Sequence, residues 1–187
     1  MKRFYFIFLG LLVFTTMICG CQRHRIRQSL KTILRSSISL PDSLSCIIFG
    51  NLSYVSHLHD KTDKLIIFID STECSKCRIE SIVRYDSLFR QSTETNKYKV
   101  IFLLSLNKES HDEIIDFLSL LDLPYPVYID EKNEFMQINP AIPDDPRFQT
   151  LFISGDGRAL LVGDPVLNPA IMPLFNKLLD GSKHENS

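Results

Sequence analysis

Two cysteines three positions apart, Cys74 and Cys77, are the residues whose types and spacing could do chemistry. Such a pair can cycle between dithiol and disulfide, give two thiolate ligands to a metal ion, or crosslink the chain. His57 and His59 lie upstream and would complete a ligand set that zinc or copper accepts. A crosslink that closes so small a loop removes little entropy from the unfolded chain, so stability alone explains the pair poorly.

The segments on either side of the pair predict a strand and then a helix. The apolar run KLIIFID at residues 64–70 is typical of a strand buried on both faces. After Cys74 the apolar residues recur at helical spacing, at Ile79, Ile82, Val83 and Phe89. The first turn of a helix stabilises a thiolate through its unpaired N–H groups and its dipole. We therefore expect Cys74 to attack a disulfide, and Cys77, one turn along on the same side, to resolve the mixed disulfide.

The rest of the chain alternates strands with helices. Residues 43–55 predict one or two strands, 98–106 a second buried strand, 124–130 a short strand and 148–164 a β-hairpin. Ser110 and Glu113 form a capping box for a helix with Ile114, Ile115, Phe117, Leu118 and Leu121 on its apolar face. Asn168 as N-cap and Pro169 predict the start of a last helix, which ends at Gly181. This order predicts an α/β domain with a parallel βαβ unit.

The amino-terminal segment predicts export and lipid attachment. Lys2 and Arg3 precede an apolar run at residues 4–18, which is short for a membrane span of about 20 residues but normal for a secretory signal. The run ends in Ile-Cys-Gly-Cys, which resembles the bacterial lipobox. That resemblance implies cleavage after Gly20 and fatty acylation of Cys21, for example with palmitate, so that membrane lipid is a partner. An uncleaved membrane anchor is the alternative.

Export of this kind places the protein in the cell envelope, facing the periplasm, where disulfides persist. Gln22, rather than an aspartate, follows the acylated cysteine and favours the outer membrane. Residues 21–40 contain five basic residues and no acidic one, and predict either a basic tether near anionic lipid or a surface helix. The predicted division is therefore a signal at 1–20, a tether at 21–40, a globular domain at 41–182 and a polar tail at 183–187.

A buried strand that runs into Cys-x-x-Cys at a helix start, outside the cytoplasm, resembles the thioredoxin-like family. Residues 124–135 (PYPVYIDEKNEF) and 148–163 (FQTLFISGDGRALLVG) resemble the later strand, connector and closing hairpin of TlpA-like and AhpC/TSA-like membrane-anchored oxidoreductases, and of lipoproteins of the Bacteroidetes type. The resemblance covers residues 62–180. It implies a central mixed β-sheet flanked by helices, with a closing hairpin and a carboxyl-terminal helix. It also implies a redox-active Cys74–Cys77 disulfide, envelope protein thiols or disulfides as partners, and no cofactor.

Two positions depart from the family pattern. Gln149 stands where members carry a cis-proline before the hairpin strand, and Phe68 stands where many carry a buried carboxylate. Asp70 and Glu73 are nearby acids that could serve in place of that carboxylate. Cys46 is expected to be a small buried hydrophobe, with a second redox partner as the alternative. No Lys/Arg-rich patch interleaved with aromatic residues points to nucleic acid. The sequence leaves open the direction of electron flow, zinc or copper binding through His57, His59, Cys74 and Cys77, and a non-catalytic binding module.

Overall fold

The structure is a computed structural model that describes residues 22–55, 58, 60–70, 81–106 and 111–181. The predictions for Cys21, His57, His59, Cys74 and Cys77 fall outside these residues. Among the described residues, no helix is both long enough and apolar enough to cross a membrane.

A single mixed β-sheet runs through the described part of the chain. Its strands are β1 (Leu44–Ile48), β2 (Asn51–Val55), β3 (Asp63–Ile69), β4 (Tyr98–Ser105), β5 (Val127–Asp130), β6 (Thr150–Ile153) and β7 (Ala159–Val162). Their spatial order is β2-β1-β5-β4-β3-β6-β7. Strands β3, β4 and β5 are parallel, whereas the pairs at both sides of this centre are antiparallel. The predicted mixed sheet, parallel βαβ unit and closing hairpin are confirmed.

Helices cover both faces of the sheet. They are α1 (22–33), α2 (Asp86–Thr95), α3 (His111–Leu121), α4 (Glu134–Ile138) and α5 (Met172–Gly181). Short 3₁₀ helices precede α2, at Ser81–Tyr85, and β6, at Pro146–Phe148. On one face Phe89, Leu118 and Phe175 of three different helices share a core, and on the other face Ile33 packs in a second core with Phe135.

Strand β3 separates these two cores, which explains its continuous apolar sequence. Alternate side chains of a strand point to opposite faces. Leu65 and Ile67 therefore join the core beneath α2, α3 and α5, while Ile66 and Phe68 join the core beneath α1 and α4. All four are at most 1% exposed. Burying such side chains on both faces stabilises the centre of the sheet, at about 1.5–3 kcal/mol for each side chain.

The folded unit begins earlier than the sequence predicts. Ile33, Ile38 and Leu40 belong to the predicted tether, yet they are 0%, 2% and 5% exposed. The Ile38 N–H donates to the carbonyl of Gly157 at 2.8 Å. The apolar side chains before the predicted boundary at residues 40 and 41 thus complete the core under α1 and α4, and residues 22–33 form the helix that was one of the two interpretations of this stretch.

Three local predictions also differ from the structure. Residues 81–85 form a 3₁₀ helix rather than a continuous α-helix, and its three-residue turn leaves Val83 61% exposed. Helix α5 begins at Met172, because residues 169–171 form a turn in which the Ile171 N–H donates to the carbonyl of Asn168. The short helix α4 lies in a segment that the sequence analysis treated only as a connector.

Candidate functional site

The carboxyl ends of the central parallel strands form one edge of the sheet. Ile69 pairs with Leu104, and Leu104 pairs with Ile129, so that the last residue of β3 lies in one row with the last but one residues of β4 and β5. The chain leaves β3 at this edge, five positions before Cys74. Because Cys74 and Cys77 lie outside the described residues, the structure defines the strand that leads to the pair but not the geometry of the two thiols.

Strand β6 lies beside β3, on the side opposite β4, where the chain leaves β3. Thr150 pairs with Ile67, and the Phe68 N–H donates to the carbonyl of Gln149 at 2.9 Å. The 3₁₀ helix before β6 fixes this arrangement, since the Gln149 N–H donates to the carbonyl of Pro146 at 3.3 Å. The backbone of Gln149 is thus bonded on both sides at the point where β3 ends.

Asp145 begins that 3₁₀ helix as its N-cap. The Oδ1 atom of Asp145 accepts a hydrogen bond from the backbone N–H of Arg147 at 3.0 Å. The carboxylate of Asp145 also pairs with the Arg147 guanidinium at 2.6 Å. The hydrogen bond from the Arg147 side chain lowers the pKa of Asp145. The turn that carries Gln149 therefore has its own local stabilisation.

The side chain of Gln149 is buried, with 1% of the residue exposed. Among the described residues, its Oε1 is the buried side-chain nitrogen or oxygen atom that has no hydrogen-bond partner. The sequence analysis identified this position only because a proline was expected there. The described residues contain no cis peptide bond.

Phe68 occupies the position at which family members often carry a carboxylate. It is 1% exposed and packs on Phe135 of α4, with ring centroids 5.0 Å apart. Asp130, the last residue of β5, is 2% exposed and caps α4, because its two oxygens accept from the N–H groups of Glu134 and Phe135 at 2.9 and 2.8 Å. Neither Phe68 nor Asp130 therefore offers an unengaged acid for proton transfer.

The chain that follows residues 71–80 is anchored through Tyr85. The Tyr85 hydroxyl donates to Oδ2 of Asp164, in the loop after β7, and its ring packs edge-on against Phe102 of β4. The other oxygen of Asp164 accepts from the N–H groups of Val166 and Leu167 at 2.8 and 2.9 Å. The segment between β3 and α2 thus returns to a fixed point on the domain.

Cys46 lies on β1 and is 2% exposed, which confirms the predicted buried position. Its Sγ lies 3.1 Å from Oγ of Ser53. Along the sheet, Cys46 pairs with Tyr128, Tyr128 with Leu103, and Leu103 with Phe68. Three strand spacings separate Cys46 from Phe68, or about 14 Å. Cys46 is therefore remote from the end of β3.

No group of three or more His, Cys, Asp or Glu side chains that could hold a metal ion occurs in the part of the chain that the structure describes. His57 and His59, together with both cysteines of the predicted ligand set, lie outside that part. Zinc or copper binding remains a prediction of the sequence.

Comparisons with solved structures identify the class of fold. The chain superimposes on a protein assigned as thiol:disulfide interchange protein DsbE from Chlorobium tepidum, with a TM-score of 0.50 and 16% identity, over 76% of this chain and 96% of that one. It also superimposes on an uncharacterized thioredoxin-like protein from Porphyromonas gingivalis, with a TM-score of 0.50 and 13% identity, over 82% of this chain and 97% of that one.

These likenesses and the mixed sheet define the class: the chain has a thioredoxin-like α/β fold. At 16% and 13% identity the similarity concerns the fold. No family model matches the sequence, and no curated protein matches it.

Proposed function

We propose that the chain is a thiol–disulfide oxidoreductase in which Cys74 attacks and Cys77 resolves, acting on thiols or disulfides of envelope proteins. The observation that carries this proposal is the position at which β3 ends. A fully buried parallel strand of a thioredoxin-like sheet ends five positions before Cys74, and a Cys-x-x-Cys sequence follows it. The second part of the proposal is that acylated Cys21 holds the protein in the cell envelope, facing the periplasm.

The reaction transfers two electrons and two protons. The Cys74 thiolate attacks one sulfur of a partner disulfide, the partner S–S bond breaks, and the leaving sulfur takes up a proton. Cys77, deprotonated in turn, attacks the sulfur of Cys74 in the mixed disulfide and releases the second partner thiol. The Cys74–Cys77 dithiol is then oxidised and the partner disulfide is reduced. The same steps in reverse oxidise a partner dithiol.

The described residues support this chemistry by holding the chain before and after the segment that contains the pair. Strand β3 and the Tyr85 anchor fix the two ends of the chain that carries the pair. Phe68 carries no carboxylate, and the acids that precede the pair most closely in the sequence are Asp70, directly after β3, and Glu73. Cys46 takes no part, because it is buried and lies about 14 Å from Phe68 along the sheet.

Cysteine substitution tests the redox proposal directly in the full-length chain in detergent. Insulin reduction by dithiothreitol should lose its protein-dependent rate in Cys74→Ser, because the attacking thiolate is absent. Cys77→Ser should instead accumulate a mixed disulfide that is visible on non-reducing gels. The matched control is Cys46→Ala, which should keep the rate. Full activity in Cys74→Ser would show that the pair is not the redox centre.

Cys21 and the nearby Cys19 allow a matched test of the proposed lipid anchor. In cells fed a radioactive fatty acid, Cys21→Ser should lose the label and leave the membrane fraction, because the acylated residue is gone. Cys19→Ser should keep both properties, since Cys19 follows Ile18 rather than a small residue. Label retained on Cys21→Ser would contradict acylation at Cys21.

A further inference from the structure

Helix α1 carries a row of exposed cations that the proposed redox reaction does not use. Arg23, Arg27 and Lys31 follow one another at four-residue spacing, so they form one row along the helix, and all three are exposed. Arg25 in the same helix and Arg35 just after it are exposed as well. Like charges at four-residue spacing destabilise a helix, and α1 contains no acidic residue that would offset them. A counter-charge from outside the helix would therefore stabilise it.

The described part of the domain does not supply that counter-charge. We call the five cations of α1 and its end the α1 basic face. None of them takes part in the ion pairs formed among the described residues, whose basic members are Lys64, Arg90, Lys97, Lys99, His111, Lys132 and Arg147. All 22 Asp and Glu residues lie after Pro41, together with only 14 of the 21 Lys and Arg residues. An anionic partner is thus attracted by α1 and repelled by the rest of the chain.

The opposite side of α1 holds the helix on the domain. Ile26, Leu30 and Ile33 recur at helical spacing and pack in the core beneath α1 and α4. Ile33 is 0% exposed, and beyond the helix the Ile38 N–H donates to the carbonyl of Gly157 at 2.8 Å. The α1 basic face therefore points away from the sheet and belongs to the folded domain rather than to a free tether.

The proposed lipid anchor directly precedes this helix in the chain. Cys21 is followed by Gln22, the first residue of α1, so Arg23 lies at most about 7 Å from Cys21. Exposed charges act over about 8 Å at physiological ionic strength. Lys31 comes ten residues after Cys21, or about 15 Å along a helix axis. A helix that stood upright on the bilayer would keep Lys31 out of range, whereas a helix that lies flat brings the whole row to the headgroups.

We propose that the α1 basic face docks on anionic phospholipid, so that α1 lies flat on the bilayer and the side of the sheet covered by α2, α3 and α5 faces away from it. This inference rests on the second part of the proposed function, the lipid anchor at Cys21. The other helix on the membrane side, α4, adds little charge, because Glu134 pairs with Lys132 at 3.7 Å. Since the apolar side of α1 is used by the core, the attraction is electrostatic, at a factor of about five for each cation near the surface.

The test uses the full-length chain reconstituted into vesicles of phosphatidylcholine, with or without phosphatidylglycerol. An amine reagent that does not cross membranes, followed by mass spectrometry, gives the labelling of Lys31 relative to Lys177, an exposed lysine of α5. This ratio within one molecule cancels differences in reconstitution. It should be at least about fivefold lower in the vesicles that contain phosphatidylglycerol. High salt should restore it, because the attraction is screened.

Charge reversal tests the α1 basic face against a matched surface. Arg23→Glu combined with Arg27→Glu should restore the labelling of Lys31 in the anionic vesicles, because two positive charges of the row become negative. The control combines Arg84→Glu with Arg90→Glu, two exposed arginines on the opposite side of the sheet, and should leave Lys31 protected. The salt series on the wild-type chain makes the same comparison without any substitution.

Flotation of the vesicles separates the anchor from the docking, and the cysteine pair takes no part in either readout. A chain that floats with both kinds of vesicle and shows the same Lys31 ratio in both overturns the docking of α1 and leaves the anchor standing. A chain that floats with neither overturns the anchor and this inference with it. If soluble polyglutamate protects Lys31 on phosphatidylcholine vesicles more strongly than anionic lipid does, the partner is an acidic protein and the bilayer is overturned.

Discussion

Two junctions of this domain each bury one side-chain amide, and the two amides are treated in opposite ways. Asn139 follows α4, is 2% exposed and makes three hydrogen bonds. Its Oδ1 accepts from the Ser39 N–H at 2.9 Å, and its Nδ2 donates to the carbonyls of Ser39 and Phe135 at 2.8 and 2.7 Å. Gln149 precedes β6, is 1% exposed and keeps an oxygen without a partner.

The difference shows that a buried amide can hold a junction together or leave that to the backbone. The Asn139 amide substitutes for a neighbouring strand, since it bonds both the N–H and the C=O of Ser39 and so fixes the amino-terminal segment on the domain. The Gln149 amide does not fix its surroundings through Oε1, because the backbone bonds at this junction already do so. Only the Asn139 amide therefore contributes its oxygen to the hydrogen bonds of the fold.

The largest expected effect is the loss of the structural amide. Asn139→Leu removes three hydrogen bonds and leaves the N–H and the C=O of Ser39 without the amide that bonds them. The free energy of unfolding should fall by about 3 kcal/mol, measured by urea denaturation followed by circular dichroism. The fall should be the same in the oxidised and reduced protein.

A control on α4, the helix that precedes Asn139, uses an exposed side-chain amide. Gln137→Ala removes a 3.3 Å hydrogen bond to the Lys132 carbonyl and should cost less than about 0.5 kcal/mol. The contrast between the two junctions would collapse if Gln149→Leu, which removes the unpaired oxygen, lowered the free energy of unfolding as far as Asn139→Leu does.

A smaller effect is expected from a polar group at the opposite end of β3. Asp60 pairs with Lys64, whose side chain is 4% exposed, at 3.0 Å, and with Lys99. Burial alone would raise the pKa of Asp60, but the hydrogen bonds and charges of Lys99 and Lys64 outweigh it and lower the pKa from 3.8 to about 2. The stabilisation is therefore present above pH 4 and is lost as the pH falls toward 2.

The matching substitution is Asp60→Asn, with urea unfolding measured from pH 5 to pH 2. The stability advantage of the wild-type protein should shrink over this range and should not depend on the redox state. It should remain well below the Asn139 effect, because Asp60 is 36% exposed and solvent screens its ion pairs. A constant difference across the range would show that the pairs with Lys64 and Lys99 do not lower this pKa.

The sequence was sufficient to predict the central elements of the fold. The apolar runs at 64–70 and 98–106 became β3 and β4, because a strand buried on both faces needs apolar side chains at every position. The Gly-rich turn at 155–157 marked the β6–β7 hairpin for a local reason, since turn chemistry is readable without tertiary contacts.

The failures come from contacts between distant parts of the chain. Residues around Ile33 suggested either a basic tether or a surface helix, but the buried partner that fixes this segment, Asn139, is a hundred positions away from Ser39. Gln149 was visible as a departure from a pattern, yet its burial and its unpaired oxygen depend on β3, β6 and the 3₁₀ helix together. For Cys74 and Cys77 the sequence predicts the chemistry, and the structure describes the neighbours on either side.

The sheet order has a consequence for the growing chain. The β1–β2 hairpin can close as soon as residue 55 has been made, but the other neighbour of β1 is β5, which begins at Val127. Until then the open edge of β1 presents Ser45, Cys46 and Ile47 to any strand that arrives first. Vectorial synthesis or export therefore exposes a pairing edge for more than a third of the sequence. A protein of this topology is expected to depend on holding chaperones until β5 has been made.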